Sequence, residues 1–419
     1  MREIRWGSAA AIALLALLAV APPALAVQRF ASPTGLASGL CTTPATACNL
    51  QRAVEDVTAD GDEVIVGPGT YVESDPVAVS NIIDVHGAAG QPRPVIVTSA
   101  SSGVFASNLF ARVADLEIQH SAASGLGLFV GGGVAERIVV KSTGDFSKAC
   151  VPLDGGVIRD SVCWDTGASG AGAALDVVGG SSTGKLRNVT AVATGASSVG
   201  VRASSTGAFS SIVDAANVVA DGALADVAVS TTVAGGSATL ALTNSNYATE
   251  SQTGPGTESA TDPGSGANQT SPPSFANAVA GDFHQVAGSP TIDAGTPGAS
   301  SLGALDVDGD PRLVDAAPDI GADEFVPVPP GADTDPPETT IVKGPKSKTK
   351  KRKAKFEFAA DEPGSTFQCK LDKGDFEPCD PAETFKVKRK KHTLEVRAID
   401  AAGNVDPTPA TDSWKVKKK

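Results

Sequence analysis

The chain has 419 residues, of which 41% are hydrophobic and only 5% aromatic, with 45 glycines, 28 prolines and six cysteines. That length allows two or three domains, and the shortage of aromatic residues argues against a helical enzyme built on a large aromatic core. The formal charge of −13 is uneven: residues 27–332 carry net −19 and residues 333–419 carry net +5, so an acidic body precedes a basic terminal segment.

Residues 1–26 read as a secretory signal. Arg2 and Arg5 give the positive start, "AAAIALLALLAVA" the apolar core, and Ala24 and Ala26 the small residues of a cleavage site, so a mature chain is expected from Val27. The apolar run is short for a membrane span. Export makes the six cysteines candidates for disulfides. They fall into three close pairs, which favours Cys41–Cys48, Cys150–Cys163 and Cys369–Cys379. The C-x-x-C spacing of a zinc site is absent.

Asn49 is placed to cap a short helix, "LQRAVEDV", with Leu50, Ala53, Val54 and Val57 on one face. Asp60-Gly61 then turns the chain into a strand at Val64–Val66. From 77 to 247, short apolar runs recur between Gly, Ser, Thr and Asp turns. Anchors at Leu116, Ile138, Val162, Val189, Val218 and Leu240 are spaced by 22, 24, 27, 29 and 22 residues. One β-run per repeat of this length indicates a solenoid. Stacked helical pairs would need a 3.6-residue apolar period, which glycines interrupt throughout. The expectation is an all-β chain, a right-handed parallel β-helix over 27–325 followed by a small antiparallel β-sandwich. Residues 248–273 read as a flexible low-complexity insertion and 326–334 as a Pro-rich linker. Segment 335–419 alternates strictly in "KFEFAA", "TFQCKLD" and "HTLEVRAID", the pattern of the sandwich.

Three stretches carry a family resemblance. "GDEVIVGPGTY" with "IIDVHGAAGQPRPVIV" resembles the opening coils of pectate-lyase-like β-helix proteins. "SPTIDAG", "DVDGDPR" and "PDIGADEF" together resemble the closing segment of a group of secreted bacterial β-helix proteins. "TFQCKLDKGDFEPC", "HTLEVRAIDAAGNVDPTPA" and "SW" resemble an immunoglobulin- or fibronectin-like domain of actinobacterial surface proteins. The resemblance implies fold and compartment. It does not imply one activity, because function on such a scaffold resides in the site.

A lyase or glycosidase on this scaffold needs clustered carboxylates, with a metal or with an acid–base pair. Residues at matching positions of successive coils stack ~4.8 Å apart, so register decides the site. Keeping Leu116, Ile138, Val162 and Val189 inside aligns Ala114, Glu136, Asp160 and Arg187 in one column. Glu136 and Asp160 are then the candidate acid pair, with Arg187 beside them. The competing reading is an ion ladder at the strand starts. His86 is read as part of a His-Gly turn and His120 as the end of a strand. In "DVDGDPR", Asp306, Asp308 and Asp310 alternate like the start of a calcium loop, but the glycine falls at loop position four and Ala317 at position twelve, so a tight Asp-Gly turn competes.

Three basic clusters, 346–355, 386–391 and 415–419, have few aromatics between them. That disfavours nucleic acid and suits either a charged surface for anionic wall polymers or acidic polysaccharide, or plain solvated lysines. The sequence thus leads to an exported surface or wall-associated monomer that binds glycan without catalysis and needs no cofactor other than calcium. A polysaccharide lyase or glycoside hydrolase acting on an acidic polysaccharide and a purely structural protein are the alternatives.

Overall fold

Runs such as Glu63–Val66 and Val95–Thr98 alternate half-buried and buried side chains, the period of a strand with one face on a core. In the computed structural model these runs stack in parallel as a β-solenoid. It describes residues 27–417 apart from 56, 58–59, 169–171, 180–181, 328–332 and 401. The expected secretory signal and part of the expected linker lie outside the described residues. The chain divides into two units after Val326.

Each coil of the first unit presents three faces. The first face begins with Gln28–Leu36, Glu63–Val66, Asp84–Gly87, Arg112–Ala114 and Val134–Glu136. The second begins with Thr70–Glu73, Val95–Thr98, Glu117–His120 and Val139–Ser142. Three longer strands, Gly156–Asp165, Ser182–Ala193 and Ser210–Gly222, run through both faces. The third face is an eight-stranded parallel sheet from Val77–Val79 to Glu250–Thr253. Val64, Val85, Ile118, Leu128, Val140 and Leu175, all buried, fill the interior. Within the stretch read as a flexible insertion, Glu250–Thr253 and Thr257–Ala260 continue the ladders as a further coil.

The bend between the first and second faces uses one residue per coil in the left-handed region: Asp115, Arg137, Asp160, Asn188, Asn217 and Asn244, with φ between 45° and 57°. Asp and Asn tolerate this conformation best among residues with a Cβ. They also link successive coils: Asn217 Nδ2 donates to Asn188 Oδ1 at 2.9 Å, and Asn188 Nδ2 to Asp160 Oδ1 at 2.8 Å.

At the N-terminal end, Asn49 Oδ1 accepts from Arg52 N and caps the helix Leu50–Glu55, whose buried Leu50, Ala53 and Val54 join the core. Cys41–Cys48 closes the loop before this helix. Cys150–Cys163 joins the third face of one coil to the second face of the next, inside the core, and Cys369–Cys379 ties two neighbouring strands of the second unit.

The second unit is a small sandwich. One sheet has three strands, Thr339–Lys343, Lys353–Ala360 and Ala382–Lys386. The other has five: Lys348–Thr349, Ala410–Val416, Lys391–Ile399, Thr366–Leu371 and Glu377–Cys379. All pairings are antiparallel except that of the two-residue edge strand Lys348–Thr349. Phe356, Phe358, Phe367, Leu394, Val396 and Trp414 form the core between the sheets.

Candidate functional site

The register departs from the sequence expectation at two anchors: Ser161 rather than Val162 takes the inward place, and Leu240 pairs with Val213 rather than Val218. Ile138 stacks on Ser161, and Ser161 on Val189; Val140 stacks on Cys163. Ser161 and Cys163 therefore face inward, while Val162 and Trp164 face out. The column beside the corner is Ala114, Glu136, Arg159 and Arg187. Asp160 moves to the corner itself. The expectation failed at the first anchor because Val162 and Trp164 are buried without being in the solenoid core.

What covers them is the segment 274–325. It does not continue the coil stack; it doubles back along the corner. Its contacts run from late coils to early ones: the Ala294 carbonyl with Asn244, Thr296 with Asn217, the Ser300 carbonyl with Arg187, the Ser301 carbonyl with Arg159 and the Val307 carbonyl with Arg93. Its hairpin, Phe275–Asn277 with Asp282–Gln285, brings Phe283 edge-on to Trp164 at 5.7 Å. With Val162, Val192, Val307 and Ala322 these rings form a second, smaller core on the outside of the second face. Each such side chain, fully buried, contributes roughly 1.5–3 kcal/mol.

Arg312, the arginine of "DVDGDPR", fastens this segment. It is 3% exposed. Its guanidinium donates to the carbonyls of Gly321, Ala322 and Asp323 and lies 3.2 Å from Asp160 Oδ1 and 3.7 Å from Glu324 Oε2. The acidic residues of the same motifs hold backbone amides. Asp319 accepts from the amides of Asp293 and Phe325, and Glu324 from that of Asp319. Burial pushes Glu324 up to about 7 and Asp323 to about 6.

The expected acid pair is bound into this structure. Glu136 is buried, with Arg112 Nε at 2.8 Å, Arg159 Nε at 2.6 Å and Arg137 Nη1 at 3.1 Å from its carboxylate. Burial alone would raise its pKa, but the hydrogen bonds and charges of Arg112 and Arg159 hold it at about 2. Arg112 reaches on to Asp84 at 2.7 Å, so the ions form a ladder up the corner. Asp160 is fully buried; Oδ1 meets Asn188 and Arg312, and Oδ2 has no hydrogen-bond partner. Burial lifts it to about 6. Gly303 lies directly over it: a Cβ there would come within 1.7 Å of Oδ2. Arg187 is spent on Asp214 and the Ser300 carbonyl.

The proposed calcium loop does not fit calcium. Asp306 Oδ1 accepts from the amides of Asp308 and Asp310, and Oδ2 from that of Glu324, so its lone pairs close an Asp-Gly turn with Gly309 at φ 93°. Asp308 turns instead to His284, 2.8 Å away. His284 joins Asp308 and Asp282, and the hydrogen bond to Asp308, reinforced by that to Asp282, raises it to about 10 against burial. It is an imidazolium between carboxylates. Asp323 also lies close to this pair, and Asp333, Glu362 and Asp400 converge similarly in the sandwich. His86 sits in a strand rather than a turn, with Nε2 2.6 Å from Glu63. His120 is buried against Ser142 and the Ala100 carbonyl, and burial lowers its pKa.

Beside the doubled-back segment the surface opens. A cavity of about 530 Å³ lies between the backbone of 87–90, the corner pair Asp115–Arg137 and the 305–309 turn, with Arg93 and Asp308 at its edge. A smaller space of about 80 Å³, lined by Arg93, Val139 and His284, adjoins it. Further across the second face, Val97, Gln119 and Lys141 line a hollow of about 190 Å³. These three are register neighbours on successive coils, hence ~4.8 Å apart. Lys141 Nζ also sits 4.3 Å over the Trp164 ring. Arg93 touches the Val307 carbonyl and has no carboxylate within ion-pair distance among the described residues. The sequence reading missed Arg93, Gln119 and Lys141 as site residues. The 22-residue spacing of Gln119 and Lys141 was the available signal, but outward side chains carry no apolar pattern. No protein-family model matches the chain, and no curated protein matches it significantly.

Proposed function

We propose that this is an exported, surface- or wall-associated β-helix protein that binds a glycan along the second face and its corner cleft without cleaving it. The observation that carries this reading is the open hollow lined by Gln119 and Lys141, register neighbours on successive coils, together with the large cleft that Arg93 edges. A chain of sugar rings offers hydroxyls at a comparable repeat, and Asp115, Gln119, Lys141 and Arg93 supply both donors and acceptors. The three disulfides suit an oxidising compartment. No helix among the described residues is long and apolar enough to cross a membrane. The resemblance to secreted β-helix and actinobacterial surface proteins supports the same compartment. Against cleavage stands the burial of Glu136 and Asp160 beneath arginines and Gly303.

The enzyme alternative, a lyase or hydrolase of acidic polysaccharide, draws on one fact: two neighbouring carboxylates are pushed apart, to about 2 and about 6, the pattern of an acid–base pair. Retention of purified protein on a panel of immobilised polysaccharides tests the proposal. Arg93→Ala and Lys141→Ala are each expected to abolish retention on an uncharged glycan that holds the parent. Undiminished retention in both variants would refute the cleft as the site.

A further inference from the structure

Lysines from each of the three basic clusters, far apart in the sequence, come together at one end of the sandwich. Lys353 lies opposite Lys386 across an antiparallel pair of the smaller sheet. In the other sheet Lys348, Lys415 and Lys391 lie side by side on three adjacent strands. All five are exposed, and none has a carboxylate within ion-pair distance among the described residues; the neighbouring Lys390 does, pairing with Asp372 at 2.7 Å. The acidic residues Asp333, Glu362 and Asp400 gather at the opposite end, where the chain enters the domain. The strand Lys391–Ile399 runs from one pole to the other, about 30 Å at ~3.3 Å per residue.

Like charges directly opposite on paired strands destabilise a sheet. Here two such rows are kept at one pole while opposite charges sit at the other. We infer that this basic pole is a docking surface for a linear anionic glycopolymer, one bearing a carboxylate or phosphate on each repeat. The lysines in each row stand ~4.8 Å apart, a spacing at which several charges of one polymer are met together. Lysine is a compact, mobile point charge, suited to a flexible polyanion rather than to bidentate recognition. The rings nearest the rows are not available for stacking on bases: Trp414 and Phe356 are buried and Phe385 packs edge-on against Phe356. Residues 333–419 carry net +5, which attracts the same polymer.

The surface is independent of the solenoid cleft, so the two are tested separately. The full chain is titrated with polygalacturonate, with poly(glycerol phosphate) and with duplex DNA at about 50 mM and about 200 mM salt. The triple variant Lys348→Gln, Lys391→Gln, Lys415→Gln and the double variant Lys353→Gln, Lys386→Gln are each expected to weaken glycopolymer binding at least about tenfold at the lower salt, with a shallower salt dependence than the parent. Lys343→Gln with Lys370→Gln, two lysines already paired with Glu357 and Glu395, should change it less than about twofold. Binding of one glycopolymer only identifies carboxylate or phosphate as the source. Binding of neither, a preference for DNA, salt-independent binding, or equal losses in the control variant overturns the inference.

Discussion

Replacing Arg312 with methionine removes the buried cation that holds the Gly321–Asp323 carbonyls of the doubled-back segment against Asp160 of the solenoid. Two contributions set the size of the effect. The carbonyls of Gly321, Ala322 and Asp323 lose a charged donor, and an unsatisfied buried acceptor costs about 1 kcal/mol or more. Asp160 loses its counterion, but that loss has a ceiling. At pH 7 its displacement from 3.8 to about 6 already corresponds to about 3 kcal/mol. A carboxyl forced to stay protonated at pH 7 costs no more than about 4 kcal/mol, so at most ~1 kcal/mol can be added. The sum is about 4 kcal/mol, within the range for breaking a buried ion pair. Hydrogen exchange reads it locally: amides of 304–324 should lose protection by that amount, while core amides of the first face, such as those of Val85 and Val113, keep theirs. Adding Asp160→Asn to Arg312→Met should restore most of the loss, because removing both partners is nearly neutral. Unchanged protection of 304–324 in Arg312→Met, or no recovery in the double variant, would refute the assignment of Arg312 as the fastening.

Docking of the same segment should depend on pH. Asp160, Asp323 and Glu324 have folded values raised to about 6, about 6 and about 7, so the stability they contribute is complete below their unfolded values near pH 4 and is lost as pH rises through 6 to 7; protection of 304–324 that rises over that window would contradict the cluster. Gly303→Ala should loosen the segment by about 1–3 kcal/mol, since the new methyl meets Asp160 rather than solvent; thermal unfolding indistinguishable from the parent would show that Gly303 does not press on Asp160. Asn217→Ala should cost about 2–3 kcal/mol through a strained left-handed residue and the lost bonds to Asn188 and Thr296, and Asn217→Gly should cost about 1 kcal/mol less; equal losses would remove the conformational part of that account. Thiol titration of unfolded, unreduced protein should find no free cysteine, and Cys150→Ala with Cys163→Ala should lower stability by about 3 kcal/mol.

The coil interior was legible in the sequence because it obeys a simple rule. Leu116, Ile138, Val189 and Val218 are apolar, recur at coil length and face inward. The helix cap at Asn49 and the three cysteine pairs follow from equally local signals. Register at Val162 was not legible. An apolar residue under a second layer looks the same in sequence as one in the solenoid core, and the polar Ser161 inside is satisfied by donating to the Arg159 carbonyl. The corner column was written in the sequence as Asp115, Asp160, Asn188, Asn217 and Asn244, but Arg137 interrupts it and its spacing varies with loop length. The closing motifs were recognisable as a set without revealing their direction. Which coils Thr296, Ser300 and Val307 touch is a long-range property, fixed by the outer apolar patch they cover. The convergence of Lys348, Lys391 and Lys415 likewise needs the strand order, which alternation does not supply.

The central claim is binding without cleavage, and one assay addresses it: the purified protein is incubated with each polysaccharide of a broad panel, and bound polymer and newly formed chain ends are measured in the same sample. The account predicts retention of at least one glycan with no new chain ends. Chain ends that accumulate with the parent and vanish with Glu136→Gln or Asp160→Asn would contradict it, and would make the ladder at the corner an active site.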